Sequence, residues 1–260
     1  MSGFLTEMGR LSRERSDRLD RTDLLRRTRG LPSPPSLNGA GFGVIAEVKF
    51  SAPSAGVLRQ ETDPLKAAKE RAQIYQSAGA RAISVLTEPS RFAGDLRHLE
   101  AVAAAVDVPV MRKDFLVDPT QVLEARVYGA AGVLLIVRML DDDTLAEMVR
   151  QADELGMFVL LEAFDREDID RAATFSDAMI GLNCRDLQTL EVEPQRFREL
   201  ADAFPMGHVQ VAESGLASVE DIETIVGLGY GMVLVGSALM KADDSGALLR
   251  AMIQAGRGVT

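Results

Sequence analysis

The chain has 260 residues, 47% hydrophobic and 26% charged, which is enough to bury a large core and too apolar for a disordered protein. A net charge of −10 argues against nucleic acid as a partner, and no run approaches the roughly 18 apolar residues of a membrane span. The single cysteine, Cys184, excludes an internal disulfide and points to the cytoplasm, while His98 and His208 stand apart without flanking ligands, so no metal is expected.

Residues 1–30 carry eight Arg against five acids. That is too acidic for a transit peptide, and the apolar core of a signal peptide is missing, so the segment predicts a charged, partly amphipathic helix packed outside the main body. The linker "GLPSPPSLNGAG" then separates an extension, residues 1–40, from a body, residues 41–260.

From residue 42 onward, short β-branched runs alternate with segments of helical period. The predicted strands are "FGVIAEV", "ARAISVL", "VPVM", "AGVLLIV", "MFVLLEA", "DAMIGL", "HVQVAE" and "GMVLVG". Between them lie helical stretches such as "DPLKAAKERAQIYQSAG", "DLRHLEAVAAAV", "TQVLEARVYG", "DDTLAEMVRQADELG" and "SVEDIETIVGLG". Eight such units predict an α/β protein: a single (β/α)8 barrel with an extra N-terminal helical segment, one domain overall. "GAGFG" and "GLGYG" each precede a strand, whereas a dinucleotide fingerprint follows one, so no nucleotide cofactor is expected.

In such a barrel, chemistry sits where strands end. The proposed ends carry Glu47 and Lys49, Thr87 and Glu88, Lys113, Arg138, Glu162, Asn183 and Arg185, Glu213 and Ser214, and Gly236 and Ser237. They predict a ring of charge around one mouth. "AESG" and "VGSA" close the seventh and eighth units, where backbone N–H groups often bind phosphate, so a phosphate-bearing substrate is favoured. Lys49 and Lys113 are candidate proton donors if neighbouring positive charge and burial lower the pKa of one of them; Glu47 and Glu162 are candidate bases. Asn183 and Arg185 are placed to orient a carbonyl or carboxylate. Cys184, between them on an alternating strand exit, is expected to point away.

Through "IAEVKFSAPSAG", "ISVLTEPSRFAGDLRHLEAV", "VPVMRKDFLVDPTQVLEARVYGAAGVLLIVRML", "GLNCRDLQTLEVEP", "VAESGL" and "LVGSALM", the chain resembles the indole-3-glycerol-phosphate synthases of tryptophan biosynthesis from about residue 42 to 245. The resemblance implies the substrate 1-(2-carboxyphenylamino)-1-deoxyribulose 5-phosphate, release of CO2 and water, and no cofactor. It implies that Lys113 protonates the substrate ketone, that Arg112 and Asp114 beside it point outward, and that Glu162, Glu47 and Lys49 complete the acid-base set. Asn183, counted with the catalytic set, and Arg185 would position Glu162, the anthranilate carboxylate or a substrate hydroxyl; Ser54, Glu213 and Ser214 would hold the substrate, Phe115 and Leu187 would line a slot for the benzene ring, and Gly215, Gly236 and Ser237 would cradle the phosphate.

One motif departs from the family pattern. Lys49 is followed by Phe50 rather than Lys or Arg, and Ala52 replaces the first Ser of Ser-Pro-Ser, with Ser51 able to compensate only if the loop shifts. That departure keeps open a paralogue acting on a substituted arylamino sugar phosphate, beside a non-catalytic barrel that only binds a sugar phosphate or a partner enzyme.

Overall fold

The computed structural model describes residues 3–187 and 189–258. The N-terminal segment forms two helices rather than the single one expected, α1 (Gly3–Ser16) and α2 (Arg21–Thr28). The break has a local cause. Asp20 turns its carboxylate back onto the N–H groups of Thr22 and Asp23, which caps a new helix. Leu5, Met8 and Ser12 lie on one face of α1 and are buried, and Leu5 and Met8 join the hydrophobic core of the body, so α1 is part of the packing rather than an outer appendage. The end of the linker is tied down by Arg81, whose guanidinium donates to the carbonyls of Gly39, Ala40, Gly41 and Phe42.

Eight parallel strands close into a barrel: β1 (Gly43–Val48), β2 (Ala82–Leu86), β3 (Val110–Lys113), β4 (Gly132–Ile136), β5 (Phe158–Ala163), β6 (Met179–Asn183), β7 (Gln210–Glu213) and β8 (Met232–Val235). Each pairs with the next, and β8 pairs back onto β1. Nearly every strand residue is buried, as expected of parallel strands covered by helices on the outside and by one another's side chains on the inside. Close approach between β4 and β5 needs Gly132, since a Cβ there would fall 2.4 Å from the Phe158 ring.

The third strand runs later than expected, through Lys113 rather than stopping at Met111. Arg112 and Lys113 therefore belong to the ladder, and alternation sends them to opposite faces.

The outer layer comprises α3 (Pro64–Ser77), α4 (Pro89–Phe92), α5 (Leu96–Ala103), α6 (Pro119–Val127), α7 (Asp142–Glu154), α8 (Arg166–Ala172), α9 (Gln195–Glu199), α10 (Val219–Gly227), α11 (Ser237–Lys241) and α12 (Ser245–Gly258). Most follow a side-chain cap: Asp63, Glu88, Asp95, Asp118, Asp141, Asp165 and Ser218 each accept a first-turn N–H. Those caps fix where the loop gives way to helix, whereas α9 and α11 begin without a side-chain cap.

Candidate active site

At the C-terminal mouth of the barrel lies a cavity of about 250 Å³. Its lining includes every residue expected there from the resemblance: Glu47, Lys49, Ser54, Lys113, Phe115, Glu162, Asn183, Arg185, Leu187, Glu213, Ser214, Gly215, Gly236 and Ser237. Leu86, Leu134, Ile136 and Leu234 line it as well and give the cavity an apolar wall.

Three expected members of the ring are not in it. Thr87 turns outward to donate to Asp114, Glu88 caps α4 through Ser90 and Arg91, and Arg138 lies over the Phe164 ring and pairs with Asp165 and Asp168. In each case the strand exit has rotated the side chain away from the lumen, into contacts that organise the loops.

Lys113 is the hub of the mouth. Its ammonium donates to Glu162 Oε2 at 2.8 Å and to Glu213 Oε2 at 3.2 Å. Burial alone would lower its pKa, but the carboxylates of Glu162, Glu213 and Glu47 outweigh that and hold it raised. The lowering required of one of the two lysines is therefore not found at Lys113, where three acids, rather than a second cation, dominate the surroundings. Before substrate arrives, Lys113 is held as the protonated ammonium, with a proton to give.

Two carboxylates facing one ammonium in a buried site cannot both ionise cheaply. Glu213 takes up the strain. Burial, above all, pushes its pKa up to about 8, Lys113 opposes this, and the nearby Glu162 adds to it. Glu213 Oε1 sits where a Cβ on Gly181 would be, 2.1 Å from that ideal position, so a strand glycine that the sequence reading passed over makes room for this acid. Gly236 does the same for Glu47, whose Oε2 would lie 2.1 Å from a Cβ there.

Glu162 is held from its other side by Asn183, whose Nδ2 donates to Oε1 at 3.1 Å, and Asn183 Oδ1 in turn accepts the backbone N–H of Arg185. Arg185 reaches the Leu190 carbonyl with one guanidinium nitrogen. Across the cavity Lys49 Nζ stands 2.5 Å from Glu47 Oε2, a charge contact without hydrogen-bond alignment. The mouth thus contains four acids, Glu47, Asp114, Glu162 and Glu213, and three cations, Lys49, Lys113 and Arg185.

Cys184 points away from this set, as expected. Its sulfur lies 3.4 Å from the Ser214 carbonyl, and burial pushes the thiol up to about 11, which leaves it protonated and a poor nucleophile.

The mouth also contains strained backbone. Among the described residues, only Ala93, Leu190 and Ser214 have positive φ without being glycine. Leu190 and Ser214 line the cavity, and Ala93 follows Phe92, which does too. Strain of this kind, on the order of 1–3 kcal/mol per residue, persists where the surroundings enforce a functional geometry.

Two aromatic residues of the cavity were not expected. Phe4 of α1 meets Phe115 edge-on, with ring centroids 5.8 Å apart, and Phe92 lies 6.0 Å from the same ring. Together they form an apolar shelf on the wall of the cavity that Lys113 also lines.

At the altered motif, Ser51 Oγ bonds the Gly56 carbonyl across a short hairpin and is not part of the cavity wall. Ala52 presents a methyl to the cavity, and Phe50 packs edge-on against His98. Ser51 therefore does not supply the missing hydroxyl. Among the described residues no cluster of three or more His, Cys, Asp or Glu side chains could hold a metal ion, and no helix is long and apolar enough to cross a membrane.

The barrel is widely shared. The 3-hexulose-6-phosphate synthase of Salmonella typhimurium superposes with a TM-score of 0.69 at 15% identity, over 84% of this chain and all of that one. Phosphoribosylanthranilate isomerase of Thermotoga maritima gives 0.58 at 13% identity, over 84% of this chain and 99% of its own. At these identities the likeness is one of fold.

Sequence relatives say more. Indole-3-glycerol phosphate synthase of Rhodococcus jostii is 43% identical over 230 residues, covering 86% of this chain and 84% of that protein. The enzyme of the same name from Mycolicibacterium smegmatis is 44% identical over 234 residues, covering 88% and 85%. The family model described as indole-3-glycerol phosphate synthase matches residues 13–252. With that match spanning nearly the whole chain, and the acid-base set gathered at one barrel mouth, the chain belongs to the indole-3-glycerol phosphate synthase family.

Proposed function

We propose that this mouth carries out the family's decarboxylating ring closure on 1-(2-carboxyphenylamino)-1-deoxyribulose 5-phosphate, with the roles divided as follows. The observation that carries the reading is the Lys113 ammonium, held charged between Glu162 and Glu213 in a cavity that also has an aromatic shelf.

The benzene ring lies against Phe115 and Leu187, with the anthranilate carboxylate toward Arg185. The phosphate lies toward the backbone of Ser214, Gly215, Gly236 and Ser237, with Ser54 nearby. As the ring carbon bearing the carboxylate bonds to the ketone carbon, the carbonyl electron pair moves onto oxygen. Lys113 delivers a proton there and stabilises the developing oxyanion.

The C–CO2 bond then breaks, and its electrons restore the aromatic ring. In the last step the new hydroxyl leaves as water: an acid protonates it while a base removes the proton that completes the indole. Glu162, oriented by Asn183 and in direct contact with Lys113, and the Glu47–Lys49 pair are the groups within reach for this exchange. A cytoplasmic setting fits an enzyme that consumes a free sugar phosphate and relies on no disulfide.

Mixing the purified protein with this substrate, with no added metal or cofactor, and following indole absorbance tests the reading. Turnover of order 1 s⁻¹ supports it, as that lies in the usual enzyme range, and no product contradicts it.

A further inference from the structure

Lys113 reaches the cavity, whereas Arg112 before it faces the other way, and Asp114 after it, at the edge of the cavity wall, is buried with Arg112. Arg112 and Asp114 are 1% and 3% exposed, making Arg112 the bulkiest of the fully buried side chains. A buried guanidinium persists only if its donors are matched, and here they are. Nε donates to Thr87 Oγ1 at 3.1 Å, Nη1 to Glu124 Oε2 at 2.8 Å and to the Gln121 carbonyl at 3.2 Å, and Nη2 to Asp114 Oδ2 at 3.2 Å.

Asp114 gathers four donors. Besides Arg112 they are Thr87 Oγ1 at 2.8 Å, the backbone N–H of Phe115 at 2.8 Å, and Arg15 Nη2 of α1 at 2.7 Å. Arg15 also lies 3.7 Å from Glu88, the cap of α4. The circuit closes through the backbone, because Thr87 N–H donates to the Lys113 carbonyl. The Lys113 carbonyl and the Phe115 N–H are thereby pinned from behind, and Arg15 is the member of the ring that arrives from the N-terminal extension.

We propose that Arg15 is a positioning residue: by completing the Asp114, Arg112 and Thr87 ring it fixes the end of β3, and so aims the Lys113 ammonium and the Phe115 ring into the cavity. This rests on the reading of Lys113 as the proton donor. It makes the docking of α1 and the reactivity of Lys113 one event. The same helix places Phe4 on Phe115, so loosening either contact loosens the other.

Arg15 is the member to replace, because its side chain is 29% exposed and its loss leaves the barrel core intact. In Arg15→Met, hydrogen exchange of the Phe115 amide should quicken about tenfold while the amides of β4 and β5 keep their protection. Turnover should fall about tenfold, with KM within twofold and the melting temperature nearly unchanged, as expected when a reacting group is misplaced rather than removed. Arg15→Lys should restore most of both, since an ammonium can still meet Asp114. Thr87→Val, which removes a different member of the ring, should quicken Phe115 exchange and lower turnover in the same way, with a lower melting temperature because Arg112 Nε loses its acceptor, and should be less than additive with Arg15→Met.

Exchange at Phe115 within twofold of wild type in both variants would overturn the proposal. Quickened exchange with unaltered kcat would overturn the coupling to Lys113. The exchange measurement needs no turnover, so it decides the clamp even if the wild-type protein fails to convert the substrate, a failure that would count against the assigned reaction instead.

Discussion

Lys113 Nζ donates to Glu162 Oε2 at 2.8 Å, and Asn183 holds the other oxygen of the same carboxylate at 3.1 Å. A carboxylate fixed at both oxygens is oriented before substrate arrives, which is where an acid-base group is most effective. Glu162→Gln keeps the side-chain size and a hydrogen-bonding oxygen but loses the charge and the exchangeable proton. Its kcat should fall by about 10²-fold or more, with KM changed little, as steady-state assays would show.

Glu213 leads to a pH dependence. Its folded pKa of about 8 lies above its ordinary value near 4.5, so the native state binds more protons than the unfolded chain between those pH values. Its contribution to stability is complete below about pH 4.5 and is lost as pH rises through about 8, by at most about 1.4 kcal/mol per pH unit. Urea titrations of wild type and Glu213→Gln across pH 5–9 should show that slope in wild type and a flatter one in the variant.

Gly181 is the space Glu213 occupies. A methyl there would meet Glu213 Oε1 at 2.1 Å, closer than atoms can approach, and press on Leu160 Cδ1 at 3.1 Å, so it is the carboxyl that must give way. Gly181→Ala should displace Glu213 from Lys113, costing about 1–3 kcal/mol in stability and at least tenfold in kcat/KM. Thermal melts and kinetics on the same sample check both.

Ala52 predicts a gain. Its methyl faces the cavity where the family pattern carries a hydroxyl, and Ser51 is engaged with Gly56. A neutral hydrogen bond contributes about 0.5–1.5 kcal/mol, so Ala52→Ser should raise kcat/KM about 2- to 10-fold on the unsubstituted substrate. If a ring-substituted substrate is the better one for wild type, the same change should narrow that preference.

Much of the site was legible because parallel barrels place every strand end at one mouth, and the buried strands are short apolar runs that stand out from amphipathic helices. Once the strand ends were located, Glu47, Lys113, Glu162, Asn183 and Glu213 followed. What failed was direction at the exits. Arg138 sits in a 3-10 turn, Val137–Met139, where strand alternation no longer applies, and it swings to Asp165 and Asp168. Thr87 and Glu88 likewise serve the outer layer.

Long-range docking left no trace in local patterns. Nothing in residues 1–16 says that Phe4 meets Phe115 or that Arg15 meets Asp114, because the partners lie more than ninety positions away. The sign of the Lys113 pKa shift was equally hidden. A sequence shows two lysines at strand ends, but only the closed barrel shows that three carboxylates surround one of them.

The most direct test is the rate of indole formation by Lys113→Ala at saturating substrate. If Lys113 supplies the proton for ring closure, kcat should fall by about 10²-fold or more while substrate affinity, measured by calorimetry, stays within a few-fold of wild type. A kcat within a few-fold of wild type would contradict the central role of Lys113 and move the acid to the Glu47–Lys49 side of the mouth.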